Sequence, residues 1–508
     1  TGDNWGFTAT WDYNDNVFSG GIVFDIGYPS TTGSYQINFA GGSPSNPSNP
    51  NWYANGCDIG IIKYNEDGTQ RLFATYLGGT TGQEMPHSLV VTEQNDLLIM
   101  GTTGSSDFPT SSNGYRTFFM GGDSLVYDNV IAFPNGCDIF VAKLSSDGSQ
   151  LLGGTYIGGS SNDGLNYRIH YTHPAPGTTI NYVKQHGNDS LYANYGDGAR
   201  GEISVDDKNF VYVGTTTFSS DFPQGINPGF QPNSAGGQEG IAFKMNQDLS
   251  QLLWSSYLGG SQDDAIFSIA LNENYDVLVA GATVSNDFPT TAGSYSPTFN
   301  GGNTDAFLTK IHTHGSQILS STFFGSNQFD NAFFVRTDRF NNIFICGQTK
   351  AEGYTLIYNA DYAIPNSGQY IAKFNPNLSD LVWSTTFGTG NGRPNIAITA
   401  FAVDVCDRIY LSGWGRDWPF SYYNALGNYY TWEDSFGTKG MEVTDDALQS
   451  ETDGMDFYVL VLSDDASELE YATFFGELRY PSCSASGRDH VDGGTSRFDN
   501  KGHIIQSV

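Results

Sequence analysis

The carboxylates that could bind a metal ion lie in short segments close to glycines. The densest segment is 489–494 (DHVDGG), and two further acidic residues, Asp163 and Asp263, follow Gly-Gly pairs. Carboxylate oxygens are preferred ligands of Ca²⁺. We therefore identify four candidate Ca²⁺ ligands: Asp163, Asp263, Asp489 and Asp492. The alternative is that these side chains only accept hydrogen bonds within turns.

No motif of a known catalytic mechanism is present. The chain has no nucleophile elbow, phosphate-binding loop, dinucleotide fingerprint or zinc-finger spacing. His312 and His314 could share one face of a strand, but a zinc site needs a third ligand, so we interpret them as turn residues. The sequence therefore predicts no catalytic residue and no cofactor other than Ca²⁺. The carboxylate pair of a glycosidase has no local signature, so a glycosidase or lyase is kept as an alternative.

Four insertions, rich in Tyr, Asn, Pro and Gly, are the candidate binding loops. They lie at about 43–56, 123–136, 163–198 and 418–440. Aromatic side chains in such loops could stack on a glycan or pack against a partner protein. The candidate contact residues are Trp52, Tyr53, Tyr422, Tyr423, Tyr429, Tyr430 and Trp432. We expect 163–198 and 418–440 to form surface loops, at least one of which contacts another chain or domain; the alternative is that these aromatics are local core.

Composition excludes several classes of protein. The 508 residues include 22 Lys and Arg against 54 Asp and Glu, a formal net charge of −32, which repels nucleic acid and anionic lipid. Aromatic residues make up 14% of the chain, too many for a disordered protein. No apolar stretch approaches the roughly 20 residues of a membrane-spanning helix. The 5 cysteines do not form a disulfide framework.

The chain is built from two alternating half-repeats. The first half reads Asp, an apolar run, Lys, a turn, and an aromatic strand that ends in Gly; its copies are 57–79, 137–159, 239–260, 304–325, 369–388 and 455–476. The second half is two apolar strands around a polar turn; its copies are 7–21, 88–101, 202–214, 267–281, 333–347, 401–413 and 495–508. Where no large insertion intervenes, the period is about 66 residues.

The strand cores indicate how the repeats pack. Val211–Val213, Val277–Val279 and Ile343–Ile345 are continuously apolar, so both faces of each sheet must be buried. We predict an all-β fold, a seven-bladed β-propeller of four-stranded antiparallel blades in a single domain over 1–508. An open solenoid or a pair of sandwiches is the alternative.

Two recurring elements are predicted to be structural. The Lys of the first half should pack its stem between sheets while its ammonium reaches a carboxylate or a carbonyl. An Asp-Phe-Pro segment, present at 107–109, 221–223 and 287–289, should end a strand and insert its ring between sheets. We also expect no disulfide between Cys57 and Cys137, because equivalent positions of neighbouring repeats lie too far apart.

The two kinds of half-repeat differ in number. There are seven second halves and six first halves, so one blade lacks two strands within 1–508. We expect the missing pair to come from the same polypeptide outside this segment; another chain is the alternative. The start at Thr1, without a signal peptide, fits a fragment of a longer, processed protein.

The repeat resembles a known family. Segment 251–302, with SQLLWSSYLGGSQDD and VLVAGATVSNDFPTTAGSYSPTFNGG, resembles the SBBP repeat of secreted bacterial β-propellers. Segments 443–476 and 489–502 resemble the propeller region of large Bacteroidota surface proteins that carry a gliding-motility-associated C-terminal domain and leave by type IX secretion. The resemblance implies a secreted propeller at the cell surface that acts as architecture.

We therefore expect a non-enzymatic extracellular module, structural or adhesive, of a large surface protein or appendage. Its partners would be other domains of the same polypeptide, further copies, or other surface proteins and glycans, with no nucleic acid and no membrane insertion. The alternatives are a lectin-like propeller and, less favoured, a propeller glycosidase or lyase. An enzyme requires convergent carboxylates of shifted pKa in one deep pocket, whereas a scaffold has a filled central channel.

Overall fold

The fold was analysed in a computed structural model. It describes residues 4–44, 53–127, 130–175, 178–183, 191, 195–415, 421–423, 429–431, 437–478, 491 and 493–507. Within these ranges the chain is all-β apart from a short 3₁₀ helix, Tyr195–Ala199. None of the described helical segments is long and apolar enough to cross a bilayer.

The strands are short and follow one another along the whole chain. The first twelve are β1 (Asn4–Trp11), β2 (Val17–Phe24), β3 (Cys57–Tyr64), β4 (Arg71–Leu77), β5 (Glu84–Val91), β6 (Leu97–Thr103), β7 (Leu125–Tyr127), β8 (Ile131–Phe133), β9 (Asp138–Leu144), β10 (Leu151–Ile157), β11 (Ile169–Ala175) and β12 (Thr178–Val183). The next eleven are β13 (Glu202–Val205), β14 (Val211–Thr217), β15 (Asn227–Pro228), β16 (Glu239–Met245), β17 (Leu252–Leu258), β18 (Asp264–Leu271), β19 (Val277–Thr283), β20 (Asp305–Ile311), β21 (Ile318–Phe324), β22 (Asp330–Thr337) and β23 (Ile343–Thr349). The last ten are β24 (Gln369–Phe374), β25 (Leu381–Phe387), β26 (Ala397–Val403), β27 (Ile409–Trp414), β28 (Ser421–Tyr423), β29 (Tyr429–Thr431), β30 (Phe457–Leu462), β31 (Leu469–Phe475), β32 (Arg497–Phe498) and β33 (Ile504–Ile505).

Six main sheets each join one second half to the first half that follows it. Their strand orders are β1-β2-β3-β4, β5-β6-β9-β10, β13-β14-β16-β17, β18-β19-β20-β21, β22-β23-β24-β25 and β26-β27-β30-β31, and we call them sheets 1 to 6. Neighbouring strands in each pair antiparallel, and β15 adds a short parallel pairing on β17. The predicted four-stranded units are thereby confirmed. The last second half forms a two-stranded unit, β32 and β33, which we call the last hairpin.

The first strands of the sheets contact one another in a closed series. Strand β1 contacts β5, β5 contacts β13, and the series continues through β18, β22, β26 and β32 back to β1. The last hairpin therefore lies between sheets 6 and 1. Five of these first strands carry a β-bulge at the same place, at Phe7, His87, Phe267, Phe333 and Thr399. A bulge bends a strand and redirects a side chain, so these residues can point away from the ladder of their own sheet.

Apolar side chains fill the space between sheets. Strands β6, β14, β19 and β23 are buried along their whole length, as their continuous apolar sequences predict. The ring of Phe108 lies 4.4 Å from that of Phe140, and Phe288 lies 4.4 Å from Phe307. The Asp-Phe-Pro segments thus insert their rings between sheets, as predicted.

The insertions at 123–136 and 163–198 are not only loops. Strands β7, β8, β11 and β12 form an accessory sheet in the order β11-β12-β7-β8, in which β12 pairs parallel with β7. The expectation of surface loops for 163–198 was therefore wrong over β11 and β12. Hairpin partners are visible in a sequence, but the pairing of two insertions about 50 residues apart depends on how the main sheets bring them together. The insertion at 418–440 contributes the paired strands β28 and β29.

Candidate functional site

The first strands meet at an ionic cluster built from Glu202, Arg336 and Arg497. Glu202 begins β13, Arg336 lies near the end of β22, and Arg497 begins β32. Glu202 Oε1 lies 2.8 Å from Arg336 Nη2 and 3.2 Å from Arg497 Nη1. Burial favours a raised pKa for Glu202, but the two guanidinium groups outweigh burial and hold its pKa below the ordinary value. The carboxylate is therefore ionised and neutralised in place, which is the state of a structural ion pair and not of a general acid.

The two arginines also donate to four backbone carbonyls, two of which lie on further first strands, β5 and β26. Arg497 Nε donates to Leu89 O at 3.0 Å and its Nη2 to Ile203 O at 3.2 Å. Arg336 Nε donates to Phe401 O at 3.1 Å, while its Nη1 donates to Val335 O at 2.7 Å. The cluster thereby joins five of the seven first strands across the centre of the closed series.

A second layer is supplied by the end of the third insertion. Arg200 donates from Nη2 to Ile398 O at 2.9 Å and pairs with Asp197 at 2.6 Å. Its guanidinium carbon lies 3.7 Å from the ring centre of Phe333, one of the bulged residues. Leu191 is buried in the same apolar cluster as Phe333. Leu191, the 3₁₀ helix Tyr195–Ala199 and Arg200 therefore pack across the first strands beside the ionic cluster.

A cavity of about 260 Å³ lies next to the ionic cluster. Its lining is Thr10, Trp11, Tyr13, Val90, Val91, Val205, Arg336, Phe401, Ala402, Arg497 and Phe498. This lining contains no carboxylate, and the indole of Trp11 donates its N–H to Phe498 O at 3.1 Å. The cavity therefore lacks the pair of acids with which a glycosidase acts.

The carboxyls of raised pKa lie elsewhere, in pairs between successive sheets. One member lies at the start of the third strand of a sheet, and the other follows the fourth strand of that sheet. Glu84, Asp264 and Asp330 begin the first strand of the next sheet, whereas Asp163 lies ahead of β13 and bridges to Thr217 of β14. The pairs are Asp58 with Glu84, Asp138 with Asp163, Glu239 with Asp264, and Asp305 with Asp330. All eight residues are buried. Between sheets 5 and 6 the same places are held by the amides Gln369 and Asn395.

Glycine makes room for these pairs. A Cβ on Gly259 would lie 2.2 Å from Glu239 Oε2 and 2.5 Å from Asp264 Oδ2. The two carboxyl oxygens therefore lie close to each other at this glycine. Gly158 stands in the same way beside Asp138 and Asp163. The first glycine of the recurring Gly-Gly pair is therefore required by close approach and not by a turn.

The candidate Ca²⁺ ligand Asp163 belongs to one of these pairs. Its Oδ2 accepts hydrogen bonds from Gly159 N at 2.7 Å and from Ser219 Oγ at 3.0 Å, and its Oδ1 accepts one from Thr217. Burial raises the pKa of Asp163 to about 8, against the hydrogen bond from Thr217. Asp163 therefore accepts hydrogen bonds of the kind that the alternative to Ca²⁺ binding predicts. Within the described residues no group of three His, Cys, Asp or Glu side chains could hold a metal ion.

The other candidate ligands are not brought together with Asp163. Asp263 is exposed and accepts a hydrogen bond from Gln238 N at 3.0 Å. Its neighbour Asp264 is the structural equivalent of Asp163, which the sequence did not reveal because Asp263 and Asp264 are adjacent. Asp489 and Asp492 lie outside the described residues. Ca²⁺ binding at these four residues stays a prediction.

The aromatic candidates are only partly described. The ring of Tyr53 stacks on Phe24 at 3.9 Å and lies 6.3 Å from Trp5, so it is in contact with the first sheet. Tyr422, Tyr423, Tyr429 and Tyr430 lie on β28 and β29, and their side chains are outside the described part. Trp52 and Trp432 also lie outside it.

The predicted role of the repeated lysine is confirmed in sheets 1 to 5. Each lysine reaches a carboxylate in the turn between the first two strands of its own sheet. The pairs are Lys63–Asp12, Lys143–Asp96, Lys244–Asp206, Lys310–Asp276 and Lys373–Asp338, at 2.7 to 3.9 Å. The ammonium of Lys63 also donates to Ser146 O of sheet 2 at 3.0 Å.

No protein-family model matches the chain, and no curated protein matches it in sequence. Among solved structures, a protein of unknown function from Dyadobacter fermentans is similar over 81% of this chain and 90% of its own, at 10% identity and a TM-score of 0.35. A protein of unknown function from Bacteroides caccae is similar over 82% and 90%, at 9% identity and a TM-score of 0.33. The NanB sialidase of Streptococcus pneumoniae is similar over 99% of this chain and 64% of its own, at 7% identity and a TM-score of 0.33. At such low identities and TM-scores these likenesses carry no argument about activity.

Proposed function

We propose that the chain is a seven-bladed β-propeller of the SBBP type, in which sheets 1 to 6 are complete blades and the last hairpin is the inner half of the seventh. The closed series of contacts among first strands supports this architecture. So does the place of the last hairpin, which contacts sheet 6 on one side and sheet 1 on the other. A ring of this kind buries the apolar faces of every sheet without a separate cap.

We propose further that the propeller is a non-catalytic structural or adhesive module of a large protein at the cell surface, exported by type IX secretion. The observation that carries this proposal is the filled axis. Glu202, Arg336 and Arg497 form ion pairs with one another, the two arginines donate to strand carbonyls, and Arg200 packs beside them. An axis filled by ion pairs and hydrogen bonds stabilises the closed ring of sheets. It leaves no pair of acidic residues that could hydrolyse a glycosidic bond.

A carbohydrate-binding role is the second candidate, favoured by the cavity beside the axis. Trp11, Tyr13 and Phe498 line it together with the guanidinium groups of Arg336 and Arg497. Aromatic rings and arginine are side chains that bind sugars and small anions. In this case the loops would present the module and the cavity would hold the ligand.

Two assays on the purified protein separate these roles. The protein should hydrolyse none of a panel of aryl glycosides and polysaccharides between pH 5 and pH 8, and beads coated with it should retain cells or matrix. Hydrolysis above the blank that is lost in Trp11→Ala would overturn the non-catalytic proposal. Binding on a glycan array that is lost in the same variant would favour the lectin-like role, with Tyr354→Ala, an exposed residue outside the cavity, as the control.

A further inference from the structure

The ionic cluster carries one more positive charge than negative charge. Among the described residues, Glu202 is the single carboxylate in contact with Arg336 and Arg497. Arg200, which lies beside them, has its own partner in Asp197. Burial lowers the pKa of Arg497, and the charge of Arg336 lowers it further, against the attraction of Glu202. Because arginine keeps its proton at neutral pH, one guanidinium charge has no counter-ion among the described residues.

The two arginines also keep donors in reserve. A guanidinium Nη atom carries two hydrogens. Arg336 Nη2 donates to Glu202 Oε1 at 2.8 Å, and Arg497 Nη1 lies 3.2 Å from the same oxygen. No other acceptor in the described part of the chain bonds to either nitrogen, because the remaining N–H groups are used on Glu202, two serine hydroxyls and the strand carbonyls. At least one charged N–H group of each arginine is therefore left over beside one carboxylate oxygen.

Both arginines line the cavity of about 260 Å³, whose other lining residues are mainly apolar. Tyr13, one of the lining residues, is 60% exposed, so the cavity reaches the solvent. Opposite charges attract more strongly beside apolar walls than in water. The volume is below the roughly 300 Å³ at which sites for drug-sized ligands begin, so the cavity suits a single ring. Trp11, Tyr13 and Phe498 supply aromatic surface on which such a ring can pack.

We propose that this cavity binds one carboxylate group carried by a six-membered ring, as in a uronic acid, with the carboxylate on Arg336 and Arg497. The inference rests on the carbohydrate-binding candidate of the proposed function and deepens it, because it defines the charge of the ligand. One carboxylate balances the one excess charge, and its two oxygens can each accept an N–H group from a different arginine. Such charge-assisted hydrogen bonds are among the strongest in proteins.

Other ligand charges fit the cavity less well. A neutral sugar would leave the excess charge and the two donors without partners. A phosphate dianion would bring one negative charge more than the cluster can neutralise. A free aromatic acid offers the same carboxylate on a ring, so the experiment must distinguish it from a sugar acid.

Isothermal titration calorimetry of the purified protein at pH 7 and low salt tests the proposal with glucuronate, glucose and benzoate. Glucuronate and glucose share the sugar ring and differ in the carboxylate. We expect glucuronate to bind at least about tenfold more tightly than glucose. Benzoate identifies the source of the carboxylate: weaker binding than glucuronate supports a sugar acid, and tighter binding supports a free aromatic acid in the same site.

A matched pair of variants locates the binding in the cavity. Ala402 is half-buried in the cavity wall, away from the hydrogen bonds of the two arginines. Ala402→Glu brings a carboxylate of the chain to the excess charge, whereas Ala402→Gln fills nearly the same space without a charge. Glucuronate should bind at least about tenfold more weakly to the Glu variant than to the Gln variant. Melting temperatures check that both variants fold, and the titrations of the unchanged protein stand without them.

Equal binding of glucose and glucuronate, or no binding of either acid, would overturn the proposal. So would equal binding of glucuronate to the two folded variants, because the ligand would then lie outside the cavity. Equal binding of glucose and glucuronate would still leave a carbohydrate-binding protein, so the inference can fail while its parent candidate survives. The hydrolysis and adhesion assays do not depend on these titrations, and they test the proposed function separately.

Discussion

The buried carboxyl pairs should make the protein less stable at pH 8 than at pH 5. Burial raises the pKa of Asp264 to about 8, against hydrogen bonds from Thr283 and Gly260. The ordinary value is 3.8, so between these values the folded chain holds a proton that the unfolded chain has released. The stability due to this proton is fully present below the ordinary value and is lost as the pH rises toward 8.

The loss of stability between pH 5 and pH 8 can be worked out from the raised pKa values of the buried carboxyls. Burial also raises the pKa of Asp58 to about 7 and that of Asp305 to about 8. One pKa unit corresponds to about 1.4 kcal/mol, and relaxation and water entry around an ionised pair reduce the cost. We expect each pair to lose roughly 2 kcal/mol of unfolding free energy between pH 5 and pH 8. Calorimetry should therefore record a lower melting temperature at pH 8.

Two variants assign the effect to the pairs. Asp264→Asn removes the titrating group at constant size, so it should be more stable than the parent chain at pH 8 and no more stable at pH 5. The opposite substitution can be made between sheets 5 and 6, where the amides Gln369 and Asn395 stand in place of a carboxyl pair. Asn395→Asp should add a loss of stability at pH 8. A melting temperature of the parent chain that stays level or rises from pH 5 to pH 8 would refute the reasoning.

Four further outcomes follow. Glu202→Gln should lower the unfolding free energy by roughly 3 kcal/mol, because it leaves two half-buried guanidinium groups without their carboxylate. Arg339→Ala, whose side chain is 60% exposed, should change it by less than about 1 kcal/mol in chemical denaturation. Lys63→Met should cost roughly 3 kcal/mol, because Asp12 stays buried without its partner. Gly259→Ala should be more destabilising than Gly293→Ala. A Cβ at Gly259 would lie 2.2 Å from Glu239 Oε2, whereas a Cβ at Gly293 meets nothing within 4 Å and adds only the strain of a φ of +84°, roughly 1–2 kcal/mol. EDTA should lower the melting temperature and added Ca²⁺ restore it if Asp489 and Asp492 bind the ion; an unchanged value on chelation would leave them as turn residues.

Local and repeated features of this fold could be predicted from the sequence. The half-repeats gave the hairpins and their order within each sheet, because hairpin pairing depends on neighbouring segments and on the turn between them. The recurrence of lysine at one strand position gave its ion pair, and the recurrence of Asp-Phe-Pro gave the buried ring. Each of these features recurs at the same position of several repeats, so its recurrence is not due to chance. The seven-to-six count of the half-repeats likewise anticipated the two-stranded last hairpin, since it follows from the alternation alone.

The tertiary structure decided which distant residues meet. Glu202, Arg336 and Arg497 lie on three strands of three different repeats, and nothing in their spacing marks them as partners. They meet because the closed series of first strands converges on one axis. The choice of Asp264 over Asp263 depends in the same way on which of two adjacent side chains faces the next sheet. Packing between residues far apart in the sequence determines these positions. A single sequence indicates directly only the local structural preferences of each segment.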